Sequence, residues 1–148
     1  MFRFRLETLL RLRLDDRDKR RGELAEAFEA ERILEQRIEE TETELEEVLH
    51  RSREIQAKGT LNIDGATERQ RYQLLLRAQI QTLNQQLLQV GEETEKRQLL
   101  LIESDREVKK LDRLKEKQQT AHDKHHLLVE SKRLDEIATL AHSRKRRD

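Results

Sequence analysis

KGTLNIDGAT, residues 58–67, is the one break in a sequence patterned everywhere else as helix. It divides the chain into two arms of unequal length. Along the first arm Leu24, Ala27, Leu34, Ile38, Leu45, Val48 and Ile55 recur in alternating steps of three and four, with Glu31, Thr41 and Ser52 in the missing places. The second arm repeats the rhythm through Leu76, Ile80, Leu83, Leu87, Val90, Leu101, Val108 and Leu111, with Thr94, Arg97 and Ser104 at polar positions. That spacing is the heptad signature of a helix that buries one narrow stripe. Two such arms joined by a Gly-containing turn predict an all-α fold, a long two-helix antiparallel coiled coil whose C-terminal helix overhangs. The expected layout is one elongated domain over 1–148, with helix 1 over about 3–57, the loop at 58–67, helix 2 over about 68–141 and a basic tail at 142–148.

Composition agrees with that class. Charged residues make up 42% of the chain and aromatics 3%, with no Pro and no Trp, a balance of long helices and not of globular domains. The 34% of hydrophobic residues suffices for one seam and not for several buried layers. The absence of Cys excludes a disulfide framework and thiolate metal ligands. Arg3, Arg5 and Glu7 interrupt the opening MFRFRLETLL, so it lacks the apolar run of a signal peptide. No stretch approaches the roughly 20 apolar residues that span a bilayer. These features predict a soluble, cytoplasmic protein.

With the middle of the loop near Asn62 and Ile63, facing residues have numbers that add to about 125, given a rise of about 1.5 Å per residue in both arms. Leu45 then faces Ile80, Ile38 faces Leu87, Leu24 faces Leu101, and polar Glu31 faces polar Thr94. Phe2 falls near Asp123, and everything beyond overhangs. The overhang still carries Leu127, Leu128, Leu134, Ile137, Ala138 and Ala141 at helical spacing. An apolar stripe without an intramolecular partner points to docking on another protein. A frayed tail and end-to-end association of two hairpins are the alternatives.

Charge is balanced in total and polarised in distribution. Residues 1–22 hold eight basic and four acidic side chains and residues 104–148 hold thirteen and nine, while residues 23–103 hold ten and eighteen. The two ends therefore share an excess of +8 and the remainder carries −8. Fields of this kind orient an acidic partner more than they add affinity. The cluster Arg144, Lys145, Arg146 and Arg147 has no aromatic neighbour to stack a base, and basic residues at a helix C-terminus complement the macrodipole without any ligand. No specific nucleic acid is expected.

His122, Asp123 and His126 form an H-D-x-x-H, close to the zinc-binding H-E-x-x-H, with His125 alongside. A hydrolytic site also needs a third ligand, an open coordination position and a walled cleft, which a two-helix seam does not offer. The histidines are read as solvated or partner-facing. No catalytic residue, metal or cofactor is assigned.

Two stretches depart from the simple pattern. DDRDKRRGE, residues 15–23, places no apolar residue in the seam and includes Gly22, and its facing stretch of about 102–110 is similarly polar apart from Ile102 and Val108. It reads as a solvated interruption or a loose joint. Tyr72, Leu74 and Leu75, then Leu99, Leu100 and Ile102, crowd beside the seam. They predict either a widened core or a lateral docking surface.

FRFRLETLLRLR (2–13), YQLLLRAQIQTLNQQL (72–87), REVKKLDRLKEKQ (106–118) and SKRLDEIA (131–138) occur in an order and spacing that resembles the flagellar export protein FliJ family. The resemblance implies a soluble, non-enzymatic, stalk-like component of the flagellar type III export apparatus. It implies binding to the hexameric export ATPase FliI, contact with the export gate protein FlhA and handling of export chaperones. Peripheral association with the membrane-embedded apparatus, through those proteins, comes with it. It assigns Phe2, Phe4, Leu6, Leu9, Leu10, Arg11, Arg13, Leu134, Asp135, Glu136 and Ile137 to the ATPase-facing end, and Tyr72, Leu75, Leu76 and Gln79 to the gate. The hairpin is read as a monomer. A structural coiled-coil spacer and the equivalent component of an injectisome are the competing readings.

Overall fold

The computed structural model describes residues 2–59 and 62–145, with side chains throughout except at Ala141 and residues 143–145. Two helices account for nearly all of it: α1, Glu7–Ala57, of 51 residues, and α2, Ile63–Lys145, of 83 residues. They pack against each other as an all-α hairpin, with no strand among the described residues. Strong helix formers fill both, and no Pro interrupts either.

Local chemistry sets the turn. α1 closes through Lys58 N–H to Glu54 O at 3.1 Å and Gly59 N–H to Gln56 O at 3.2 Å. Gly59 has φ +72°, the left-handed value that ends helices at little steric cost to glycine. Asn62 then caps α2: its Oδ1 accepts from Gly65 N at 3.5 Å and its carbonyl from Ala66 N at 2.9 Å. Asp64 adds a carboxylate in the first turn, where the helix dipole favours it. The sequence predicts loop as far as residue 67, whereas α2 begins at Ile63. At the far end helix continues through Lys145 across part of the expected tail; Thr60, Leu61 and residues 146–148 lie outside the described set.

The chain forms two compact units: Met1–Asp18 with Glu103–Asp148, and Lys19–Ile102. The boundary falls within the polar 15–23 stretch and its facing segment. In the Lys19–Ile102 unit the seam residues anticipated from the heptads are all buried or half-buried, including the polar ones. The polar places are satisfied locally. Thr41 and Thr94 donate to their own i−4 carbonyls, Arg37 O at 2.7 Å and Val90 O at 2.9 Å. Arg97 donates from Nη1 to Glu23 O at 2.6 Å and from Nε to Glu93 Oε1 at 3.1 Å. A buried polar group costs little once it is hydrogen-bonded.

Register differs from the expectation. Gln73 donates to Ser52 Oγ at 3.2 Å near the loop, but Arg97 meets Glu23, and a Cβ on Gly91 would stand 3.9 Å from Glu31 Oε1. Facing numbers thus fall from 125 near the loop through 122 at Glu31 to 120 at Glu23, and Gly91 comes beside Glu31.

The crowd beside the seam does not widen the core. Leu74, Leu75, Leu99, Leu100 and Ile102 are all exposed. Leu76, 2% exposed, and Leu75, 61% exposed, are adjacent residues in opposite environments. Leu76→Ala is expected to lower the unfolding free energy of the full chain by about 2–3 kcal/mol, and Leu75→Ala by under about 0.5 kcal/mol, measured by denaturant titration. Equal effects would contradict the observed seam.

Candidate functional site

In the Met1–Asp18 and Glu103–Asp148 unit, the N-terminal segment folds onto α2 before α1 begins. Residues 2–4 are non-helical, Arg5 and Leu6 form a turn, and Glu7 N donates to Phe4 O at 3.4 Å. Phe4 and Leu10 are buried against Val108, with Phe2, Leu14 and Leu111 packed around them. Lys115 Nζ lies 5.9 Å from the Phe4 ring centroid and 2.8 Å from Glu7 Oε2, joining a cation–π contact to an ion pair. Ser104 Oγ donates to Asp16 Oδ2 at 3.2 Å, so the buried hydroxyl is satisfied across the polar stretch.

The segment ends beside His122, whose ring centroid is 5.7 Å from that of Phe2. Phe2 therefore reaches the place expected for it.

The eleven residues assigned by resemblance to the ATPase-facing end divide into three groups. Phe4 and Leu10 are spent on the internal core and Phe2 is half-buried. Leu6, Leu9, Arg11 and Arg13 remain exposed on the N-terminal arm. Leu134, Asp135, Glu136 and Ile137 are exposed on α2, twelve or more residues beyond His122, or about 18 Å along the helix. The N-terminal and C-terminal sets are thus in the same unit without forming one continuous patch.

The uncovered stripe of α2 also points in an unanticipated direction. The line of α2 that meets the N-terminal arm runs through Ser104, Val108, Leu111, Lys115 and His122. At about 3.5 residues per turn, Leu127 and Leu134 lie half a turn round the helix from that line, with Ile137 about 50° to one side of them and Leu128 about 100° to the other, nearer the covered line. All four are more than 60% exposed. Ala138 is exposed as well, while the side chain of Ala141 and the cluster Arg144–Arg147 lie outside the described set.

The four residues assigned to the gate belong to the Lys19–Ile102 unit, and the structure separates them. Leu76 is buried in the seam, whereas Gln79 is exposed. Tyr72 and Leu75 line an open groove of about 710 Å³ with Val48, Ile55, Arg51 and Arg71. The Tyr72 hydroxyl donates to Glu44 Oε1 of α1. That hydrogen bond to a carboxylate holds the phenol protonated and pushes its pKa up, with desolvation and the Glu44 charge acting in the same direction.

His122 Nδ1 lies 3.4 Å from Asp123 Oδ1, and His126 Nδ1 lies 3.4 Å from Glu130 Oε1. No group of three or more His, Asp or Glu side chains among the described residues is arranged to hold a metal ion. No helix among the described residues is long and apolar enough to cross a membrane.

The family model described as flagellar FliJ protein matches residues 1–147 of the chain. No curated protein and no solved structure matches it.

The bond between Tyr72 and Glu44 can be followed in isolation because Tyr72 is the single tyrosine and there is no Trp. Its raised pKa means that the bond contributes fully below the ordinary tyrosine value near 10 and is lost as pH rises through the higher folded value. In an ultraviolet titration of the phenolate, Glu44→Gln is expected to bring the midpoint down toward the ordinary value. A midpoint unmoved by the substitution would show that the bond does not form in solution.

Proposed function

The chain belongs to the flagellar FliJ protein family and so is a non-catalytic component of the flagellar protein export apparatus, and we propose that it serves there as a stalk that binds and stimulates the hexameric export ATPase. In the same reading it links the ATPase to the export gate and to export chaperones, and it uses no cofactor. The observation that carries the proposal is the stripe Leu127, Leu134 and Ile137, exposed on the side of α2 turned away from the N-terminal arm, with Leu128 exposed at its flank. Solvated leucines at helical spacing gain from burial on a partner, about 1.5–3 kcal/mol for a side chain fully covered.

Charge supports the same end. Arg3, Arg5, Arg11 and Arg13 are exposed on the N-terminal arm, and the two terminal stretches carry the molecule's basic excess. An acidic inner wall of a ring would draw them in, and the attraction would weaken with salt. A single stalk facing six subunits spreads its contacts, so the apolar stripe and the basic arm act together.

Because Leu134 and Ile137 are largely exposed, Leu134→Ala with Ile137→Ala is expected to change stability by under about 0.5 kcal/mol per site. The same double variant should weaken binding to the cognate ATPase by about tenfold and lower its stimulation in proportion, read by sedimentation and phosphate release. Wild-type stimulation would remove the overhang from the working surface. For the gate, Tyr72→Ala with Leu75→Ala should reduce affinity several-fold, about 1 kcal/mol, while ATPase stimulation is kept. An unchanged gate affinity would discard that groove.

A further inference from the structure

We propose that His122 and His126 form a two-histidine chelate on α2 for one divalent ion of the zinc, nickel and copper class. The site does not depend on the export role above. Residues four apart share one helix face, and the two rings have centroids 6.3 Å apart with planes tilted by 32°. A tetrahedral ion held at about 2.0–2.1 Å from two imidazole nitrogens sets the centroids about 5 Å apart. Closing the pair by about 1 Å lies within ordinary side-chain rotation. Both histidines are open to solvent, His122 with 39% and His126 with 62% of the side chain exposed.

The neighbours of the pair favour ligation. Each Nδ1 stands 3.4 Å from a carboxylate oxygen, Asp123 Oδ1 for His122 and Glu130 Oε1 for His126. A carboxylate can only accept, so beside His122 it favours the tautomer with the proton on Nδ1, which leaves the Nε2 lone pair for a metal. Carboxylates in this position orient ligating histidines. The Phe2 ring, tilted at 56° to that of His122, restricts one ring further. His125 stands about 100° round the helix from His126 and has no part in the pair.

Two nitrogen ligands leave the remaining positions to water. The result is an open, modest site and not a closed structural one or a hydrolytic centre, in keeping with the absence of a third ligand among the described residues. Such an ion bridges one helical turn just where α2 passes Phe2. Binding to the helical form alone stabilises that turn by mass action.

The test is calorimetric titration of Zn²⁺ into the tag-free full chain, with hydrogen exchange across 119–130 as a second readout. One ion per chain is expected, with slower exchange in that turn. His122→Asn and His126→Asn should each weaken binding by at least about tenfold, whereas His125→Asn should bind as the parent does. All three positions are solvent-accessible, and circular dichroism checks that helix content is kept. With Cu²⁺ in place of Zn²⁺, electron paramagnetic resonance should show coupling to two nitrogens. No saturable binding, parent-like binding by His126→Asn, or an equal loss in His125→Asn would overturn the site.

Discussion

A pair of antiparallel helices can hide only one stripe of each partner, and every other side chain must tolerate water or find cover elsewhere. In the Lys19–Ile102 unit that stripe is narrow enough to admit Thr41, Thr94 and Arg97 among the leucines. Their hydroxyl and guanidinium groups are satisfied by nearby backbone and by Glu93. The described residues leave no buried side-chain polar atom without a hydrogen bond. The same narrowness keeps Leu74, Leu75, Leu99 and Leu100 outside. A thicker core would have absorbed them; a single seam has no second layer to offer.

The N-terminal segment meets this constraint in another way. Phe4 and Leu10 close the seam against Val108, and Lys115 binds both the Phe4 ring and Glu7. Aromatic side chains supply large buried area from few residues, which matters where the arm is short. The non-helical start of the arm brings Phe2 beside His122. The cost is that the most apolar residues near the N-terminus are already used internally. What remains for a partner there is chiefly Leu6, Leu9, Leu12 and the arginines.

The seam was legible because burial and the 3.5-residue period are the same fact seen from two sides. Glu31, Ser52 and Ser104 were correctly placed in it by position, despite their polarity. The turn was less legible, since Asn62-Ile63-Asp64-Gly65 fits a loop by composition and a helix cap by geometry. Choosing the loop set the expected start of helix 2 at about 68, whereas α2 begins at Ile63. For the candidate sites, sequence resemblance grouped residues by motif, whereas burial divides them: Leu76 from Leu75, and Phe4 from Leu6. Motif spacing along a helix does not by itself distinguish the covered face from the open one.

That distinction bears most on the overhang. Had Leu127 and Leu134 continued the line of Val108 and Leu111, they would be residues that a longer first arm could have covered. Lying half a turn away, they would stay open however far that arm extended. A frayed tail gives no reason for apolar residues to gather on one face. A partner seated on that face would not compete with Phe4 and Leu10 for α2, because the two contacts use opposite sides of one helix. Docking there leaves the internal seam closed, so its binding energy need not offset the loss of a packed core. A surface arranged in this way suits a protein that must hold its own hairpin together while engaging something else.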